Sequence, residues 1–126
     1  MQKAKEIIKQ AIKLRRKLKW KINFESIEEY LEGIGYKVIF FNTPVGDAEL
    51  TRYGLTEKAE ETKAFTYCGS AKIVFINGQL SPEDKTYLLY HELGHIVLGH
   101  LKYRHIGTNN KHLLEFQADT FAYALL

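Results

Sequence analysis

His91-Glu92-Leu93-Gly94-His95 is the stretch on which the reading of this chain turns. It sits inside a helix-patterned apolar run from Tyr87 to His100, in which Leu88, Leu89, Leu93, Ile96 and Val97 supply a face to bury. Just ahead, Ser81-Pro82-Glu83-Asp84 has the form of a helix start: a serine cap, proline in the first helical position and acids in the first turn. Helical residues four apart stand one above the other. His91 and His95 can therefore aim two imidazoles at one ion, with Glu92 beside the open coordination position. Two neutral imidazoles and a third ligand leave a tetrahedral zinc one place for water. The ion acidifies that water, and a carboxylate can carry its proton to a leaving amine. His-Glu-x-x-His on a helix is thus the pattern of a zinc peptidase core. Two solvated histidines on a surface helix are the bland alternative, and the apolar flanks argue against it.

The third ligand is sought near the C-terminus. Leu114-Glu115-Phe116-Gln117-Ala118-Asp119-Thr120-Phe121-Ala122 is again helix-patterned, and Glu115 and Asp119 share a face at a spacing of four. One carboxylate can bind the metal while the other accepts the second N–H of a ligand histidine and fixes its tautomer. A longer zincin signature needs glycine three residues after His95 and histidine three further on. Leu98 and Leu101 stand there, so that signature is absent.

HELGHIVLGH, followed some fifteen residues later by EFQADTFAYALL, resembles the ImmA/IrrE family of zinc metallopeptidases. That family's pattern is His-Glu-x-x-His and then Glu-x-x-Ala-(Asn/Asp)-x-Phe-Ala. By matching position the resemblance implies that His91, His95 and Glu115 bind Zn2+, that Glu92 is the general base, and that Asp119 is the outer partner of a ligand. The match is specific over about 81–126 and diffuse before it. Similar proteins are often encoded on prophages and conjugative elements, where they cleave a helix-turn-helix repressor. Others act in stress responses or beside toxin–antitoxin systems. Family chains commonly run on past the segment that ends here at Leu126, so a minimal or shortened member is expected.

The rest of the chain sets the bounds. At 126 residues it is long enough for one domain burying about two-thirds of its unfolded surface. No signal-peptide core is visible, and the apolar runs Val38–Phe41 and Ile73–Ile76 are too short to span a bilayer. Cys68 is the single cysteine, which excludes an intrachain disulfide and makes a reducing cytoplasm the expected location; a half-buried strand position is expected for it. Charge is uneven. Nine of the eighteen Lys and Arg lie in residues 1–21 against one acid, Glu6, and the remainder is net acidic. Ile7, Ala11, Leu14 and Leu18 recur at helical spacing, so 3–19 reads as a basic amphipathic helix. Docking by its apolar stripe is preferred over binding of nucleic acid, an anionic membrane or an acidic partner.

Further elements follow from local signals. Ser26-Ile27-Glu28-Glu29 reads as a capping box opening a short helix, Gly33 and Gly35 end it, and Tyr36–Phe41 is a strand. Asn42–Asp47 has turn chemistry, and 48–63 is either a polar helix turn or an irregular excursion. Strands at 64–68 and 72–76 form a hairpin through Gly69-Ser70. Residues 101–111 read as a surface loop. His100, five residues past His95 and about 140° round a continued helix, would point away from the metal. His105 and His112 are extra imidazoles nearby, and none is assigned a catalytic part.

The expected fold is α+β: a single zincin-like domain over residues 1–126, with a small mixed or antiparallel sheet and helices packed around the metal helix. The expected function is gluzincin-like zinc metalloendopeptidase chemistry on a protein substrate, with a repressor-type regulator suggested by the resemblance alone. The rival is a catalytically silent, metal-containing regulatory module that binds a partner protein or DNA. Two histidines and a carboxylate also suit iron(II) or manganese.

Overall fold

The computed structural model describes the backbone of residues 3–103 and 108–126 and the side chains of 3–101 and 111–126. The chain runs α1 (Ala4–Lys17), α2 (Phe24–Gly33), β1 (Lys37–Phe41), α3 (Pro44–Tyr53), α4 (Thr56–Glu61), β2 (Ala64–Cys68), β3 (Lys72–Asn77), α5 (Pro82–Val97), a 3-10 turn at His100–Tyr103, and α6 (Thr108–Leu125). The fold is α+β. Its sheet is mixed, in the order β1-β3-β2, with β1 parallel and β2 antiparallel to β3. β3 is the central strand, which explains why Ile73, Val74, Phe75 and Ile76 are apolar without alternation: both faces are covered. Val74 and Ile76 join the core under α1, α2, α5 and α6, while Ile73 and Phe75 pack with Phe41, Phe65 and Leu50 of α3.

The basic N-terminal segment docks by its stripe. Ile7, Ala11 and Leu14 are buried, and α1 lies against α6. Arg15 donates from Nη1 to the carbonyl of Leu125 at 2.6 Å, a cation on the negative end of α6. Part of the N-terminal charge therefore serves the fold.

Several local readings are corrected. The capping box of α2 is Asn23 with Ser26, not Ser26 with Glu29: the Asn23 side chain accepts from Ser26 N at 2.8 Å, and Ser26 Oγ accepts from Asn23 N at 3.1 Å. The earlier start brings Phe24 into the helix, where it stacks on Phe40. Asn42–Asp47 is mostly not a turn. Thr43 caps α3 by accepting from Gly46 N, and Pro44 takes the first helical position that suits its fixed φ. The segment 48–63 continues α3 and then forms α4. Cys68 is exposed rather than half-buried, because β2 ends beside the hairpin turn, beyond the cover of the helices. α6 begins at Thr108, inside the segment read as loop; residues 104–107, and with them His105, lie outside the described residues. Among the described residues no helix is long and apolar enough to cross a membrane.

α5 starts as expected, with Ser81 accepting from Asp84 N. It stops three residues earlier than the periodicity suggested: Leu98 caps it, and Gly99 adopts φ +73, a left-handed conformation that ends helices. What places α5 against α6 is Gly94. A Cβ there would meet Ala118 O at 3.1 Å and Ala118 Cα at 3.2 Å. The glycine lets the two backbones approach, with Leu93, Ala118, Phe121 and Ala122 fully buried around the contact. Gly94→Val would force the helices apart and is expected to cost about 1–3 kcal/mol through overpacking. Urea unfolding checks this; wild-type stability in the variant would mean that the contact is not tight.

Candidate active site

The close approach of α5 and α6 makes one polar cluster out of two i, i+4 pairs. His91 and His95 project from α5, and Glu115 and Asp119 from α6. His91 Nε2 lies 2.8 Å from Glu115 Oε2, His95 Nε2 lies 3.2 Å from Glu115 Oε1, and the two Nε2 atoms are 3.2 Å apart. Two imidazole nitrogens and a carboxylate thus form a triangle. A tetrahedral ion with bonds of roughly 2.0–2.1 Å needs donors about 3.3 Å apart, so the set is close to the size required.

The groups behind these donors differ. His91 Nδ1 donates to Asp119 Oδ1 at 2.8 Å, while its Nε2 faces Glu115, and Tyr87 O–H donates to the same Asp119 oxygen. Glu92 has no place in the triangle, although one of its oxygens lies within 4.8 Å of both imidazoles. Its Oε1 accepts a buried hydrogen bond of 2.7 Å from Thr66 Oγ1 on β2. Glu115, not Glu92, is therefore the carboxylate in contact with both Nε2 atoms. On the far side of His95, Nδ1 is 3.0 Å from His100 Nδ1, and His100 Nε2 is 2.9 Å from Gln117 Oε1. The expectation that His100 points away is corrected: Gly99 ends the helix and turns His100 back into the protein, behind His95.

The charges respond to this arrangement. Hydrogen bonds from His91 and His95 hold the Glu115 carboxyl well below the usual range. Burial works against a charged His91, but the Glu115 hydrogen bond and the charges of Glu115, Glu92 and Asp119 outweigh it and raise its pKa. Burial, then the neighbouring His95, push His100 down to about 4. Burial and Asp119 push the Tyr87 phenol up.

The cluster opens into a groove of about 640 Å³ along β2, an outer strand of the sheet, lined by Ala64, Phe65, Thr66 and Tyr67 on one side and by His95 and Glu115 on the other. The sequence left open which strand forms an edge near the metal helix; of the two, β2 is the one beside Glu92.

Residues 32–126 match the family model of the M78 peptidases, described as the IrrE N-terminal-like domain. The chain belongs to this family. No curated protein and no solved structure matches it. Membership gives a peptidase-type domain, and His91, Glu92 and His95 give this member a group able to hold a metal ion.

All five residues singled out in the sequence, His91, Glu92, His95, Glu115 and Asp119, meet in this cluster. Thr66 and Gln117 were missed; Tyr87 was a candidate donor given no part, and His100 was placed away from the cluster. Tyr87 had a signal, since 87, 91 and 95 share one helix face. Gly99 was the signal for His100. Nothing local marks Thr66 or Gln117. Tyr90 is core, and His112 is exposed on α6.

Two outcomes are expected. Protein purified without added metal should carry one ion per chain, lost or sharply weakened in Glu115→Ala; elemental analysis of both proteins reads this, and equal metal content would remove Glu115 from the donor set. The second concerns pH. His91, raised above its ordinary 6.5, stabilises the chelator-treated protein most below that value, and this stability is lost as pH rises through the raised pKa. Glu115, lowered from 4.5, contributes above that value and loses its contribution as pH falls through its folded pKa. Metal-free protein should thus melt highest between about pH 4.5 and 6.5. Stabilisation by added zinc should grow above that window, because the ion competes with the His91 proton. Thermal melts with and without chelator test both arms, and a flat profile would contradict them.

Proposed function

We propose that this chain is a zinc-dependent endopeptidase that cuts an extended segment of a protein. The observation that carries the reading is the meeting of His91 Nε2, His95 Nε2 and Glu115 beside a glutamate outside their triangle, at the wall of a groove that follows an edge strand. In this reading His91, His95 and Glu115 hold the ion, and Asp119, braced by Tyr87, orients His91. Zinc bound there would supply Lewis acidity, a water of lowered pKa and a polarised scissile carbonyl.

The chain's own groups do the rest. Glu92, with Oε1 engaged by Thr66, keeps Oε2 to take the proton of the attacking water and pass it to the departing nitrogen. A peptide laid beside β2, an outer strand of the sheet, would bind by backbone pairing, without demanding particular side chains. The resemblance to ImmA/IrrE proteins supports a helix-turn-helix repressor or similar regulator as the substrate class, of a mobile element or a stress response. A cytoplasmic setting suits such a substrate.

Glu92→Gln keeps the shape of the base and removes its proton affinity. The variant should retain metal and fold but lose cleavage by about 10²–10⁴-fold. The readout is the set of new protein N-termini produced by zinc-loaded wild type in a host proteome. Peptides that appear equally with the variant would show that hydrolysis is not the function, and would favour a silent module that binds its partner.

A further inference from the structure

We propose that the outer face of α1 and the turn after it bind single-stranded nucleic acid, with the cations taking phosphates and Trp20 stacking on a base. The inference does not depend on the metal cluster or on the peptidase reading. The surface also lies outside the family match, which begins at residue 32.

Docking uses up only the inner face of α1, where Ile7, Ala11 and Leu14 are 1%, 0% and 6% exposed. Lys5, Lys9, Lys13 and Arg16 follow at steps of four, four and three, so they run for about 16 Å along the opposite face. All four are exposed, as are Lys19 and Lys21 past the helix end. Two neighbouring cations have other partners: Arg15 holds the Leu125 carbonyl, and Lys17 lies over the ring of Tyr30. Among the described residues, Arg52 is the only Lys or Arg within ion-pair distance of a carboxylate. The outer row is therefore not neutralised from within the described protein.

Trp20 is an independent observation. It is 58% exposed and stands between Lys19 and Lys21. The turn that ends α1 is closed by Trp20 N–H donating to Arg15 O at 2.7 Å and Lys19 N–H to Arg16 O at 3.0 Å. Glycine suits such a turn, yet Lys19 and Trp20 occupy it at φ +56 and +65. A bulky residue held in the left-handed region is an outlier, and such outliers gather at functional sites. Here the turn presents an indole at the end of a row of cations, with the Arg15 guanidinium 5.6 Å from its ring.

The arrangement selects among anionic partners. A helix that lies on a membrane inserts its apolar face, and the apolar face of α1 is already buried in the protein. Cations beside an exposed aromatic instead suit a polyanion whose bases offer π-faces, as single strands do. A duplex hides those faces in its own stack. Because every base has one, binding should tolerate many sequences.

Trp20 is the only tryptophan, so the intrinsic fluorescence of the full chain reports on this site alone. A single-stranded oligothymidylate should quench it. Anisotropy of the labelled oligonucleotide should give an affinity that falls with salt, with a log–log slope of about −3 to −4 for roughly four to six neutralised phosphates. A duplex of the same length should bind more weakly and quench less. Trp20→Ala should weaken single-strand binding by about 5–150-fold, and Trp20→Phe should keep most of the affinity. Lys9→Ala/Lys13→Ala/Arg16→Ala should make the salt slope shallower by about 2; this exposed triple decides the matter if Trp20→Ala does not fold. No binding at low salt, or wild-type affinity in the folded variants, would overturn the proposal. So would duplex binding as tight as single-strand binding, or a Trp20 response only to phosphatidylserine vesicles, which would make the face a membrane contact.

Discussion

The backbone contact between Gly94 and Ala118 is the constraint on which the rest depends. His91 and His95 are fixed to one helix, and Glu115 and Asp119 to another. Their contacts of 2.8–3.2 Å exist only while the two axes stay close. The two variable positions of the His-Glu-x-x-His motif serve that purpose. Leu93 turns into the core beneath the helix, and Gly94 admits the backbone of α6. In a close-packed interior a helix shift of one ångström cannot be absorbed locally. The chemistry of the motif is therefore inseparable from the packing at its centre.

Three carboxylates crowd this small volume, and each is held differently. Thr66 hydrogen-bonds Glu92, Tyr87 and His91 hold Asp119, and the two imidazoles face Glu115. Neutral hydroxyl donors fix orientation at little electrostatic cost, while the two imidazoles face the carboxylate of Glu115. Concentrated negative charge beside two nitrogen donors is what a dication neutralises. It also explains why burial does not lower the pKa of His91, whereas His100, with a glutamine instead of a carboxylate behind it, is pushed down.

The α+β class, the hairpin, the docked first helix and the five clustered site residues were legible because each rests on short-range periodicity or on spacing within one helix. Two helical faces at i, i+4 can be read without knowing how the helices pack. The misreadings share a cause. Asn42–Asp47 contains residues that serve turns and helix starts alike, and Thr43-Pro44 resolves the choice only once α3 has β1 to pack on. At His100 the periodicity was carried through Gly99, a residue that readily takes the left-handed conformation, and so the side chain was placed on the wrong side. Thr66 and Gln117 act across 26 and 17 residues, on Glu92 and His100. Such contacts come from tertiary structure and leave no pattern along the chain.

The bond from Thr66 to Glu92 ties an outer strand of the sheet to the residue proposed as the base. Side chains alternate along β2, so Thr66 turns toward α5 while Phe65 and Tyr67 turn to the opposite face of the sheet. β2 is an outer strand of the sheet, and the groove runs along it. A peptide paired to that edge would be registered on the same strand that fixes one oxygen of Glu92. Substrate and base would then share a single reference frame, with no loop between them to add slack. Backbone pairing explains how a groove this plain could accept many sequences, and it moves the burden of selectivity to whatever makes one segment of a partner extended and accessible. Under the proposed function, for a folded protein substrate that would be a property of its own stability, since only a segment that leaves its native packing could pair with β2.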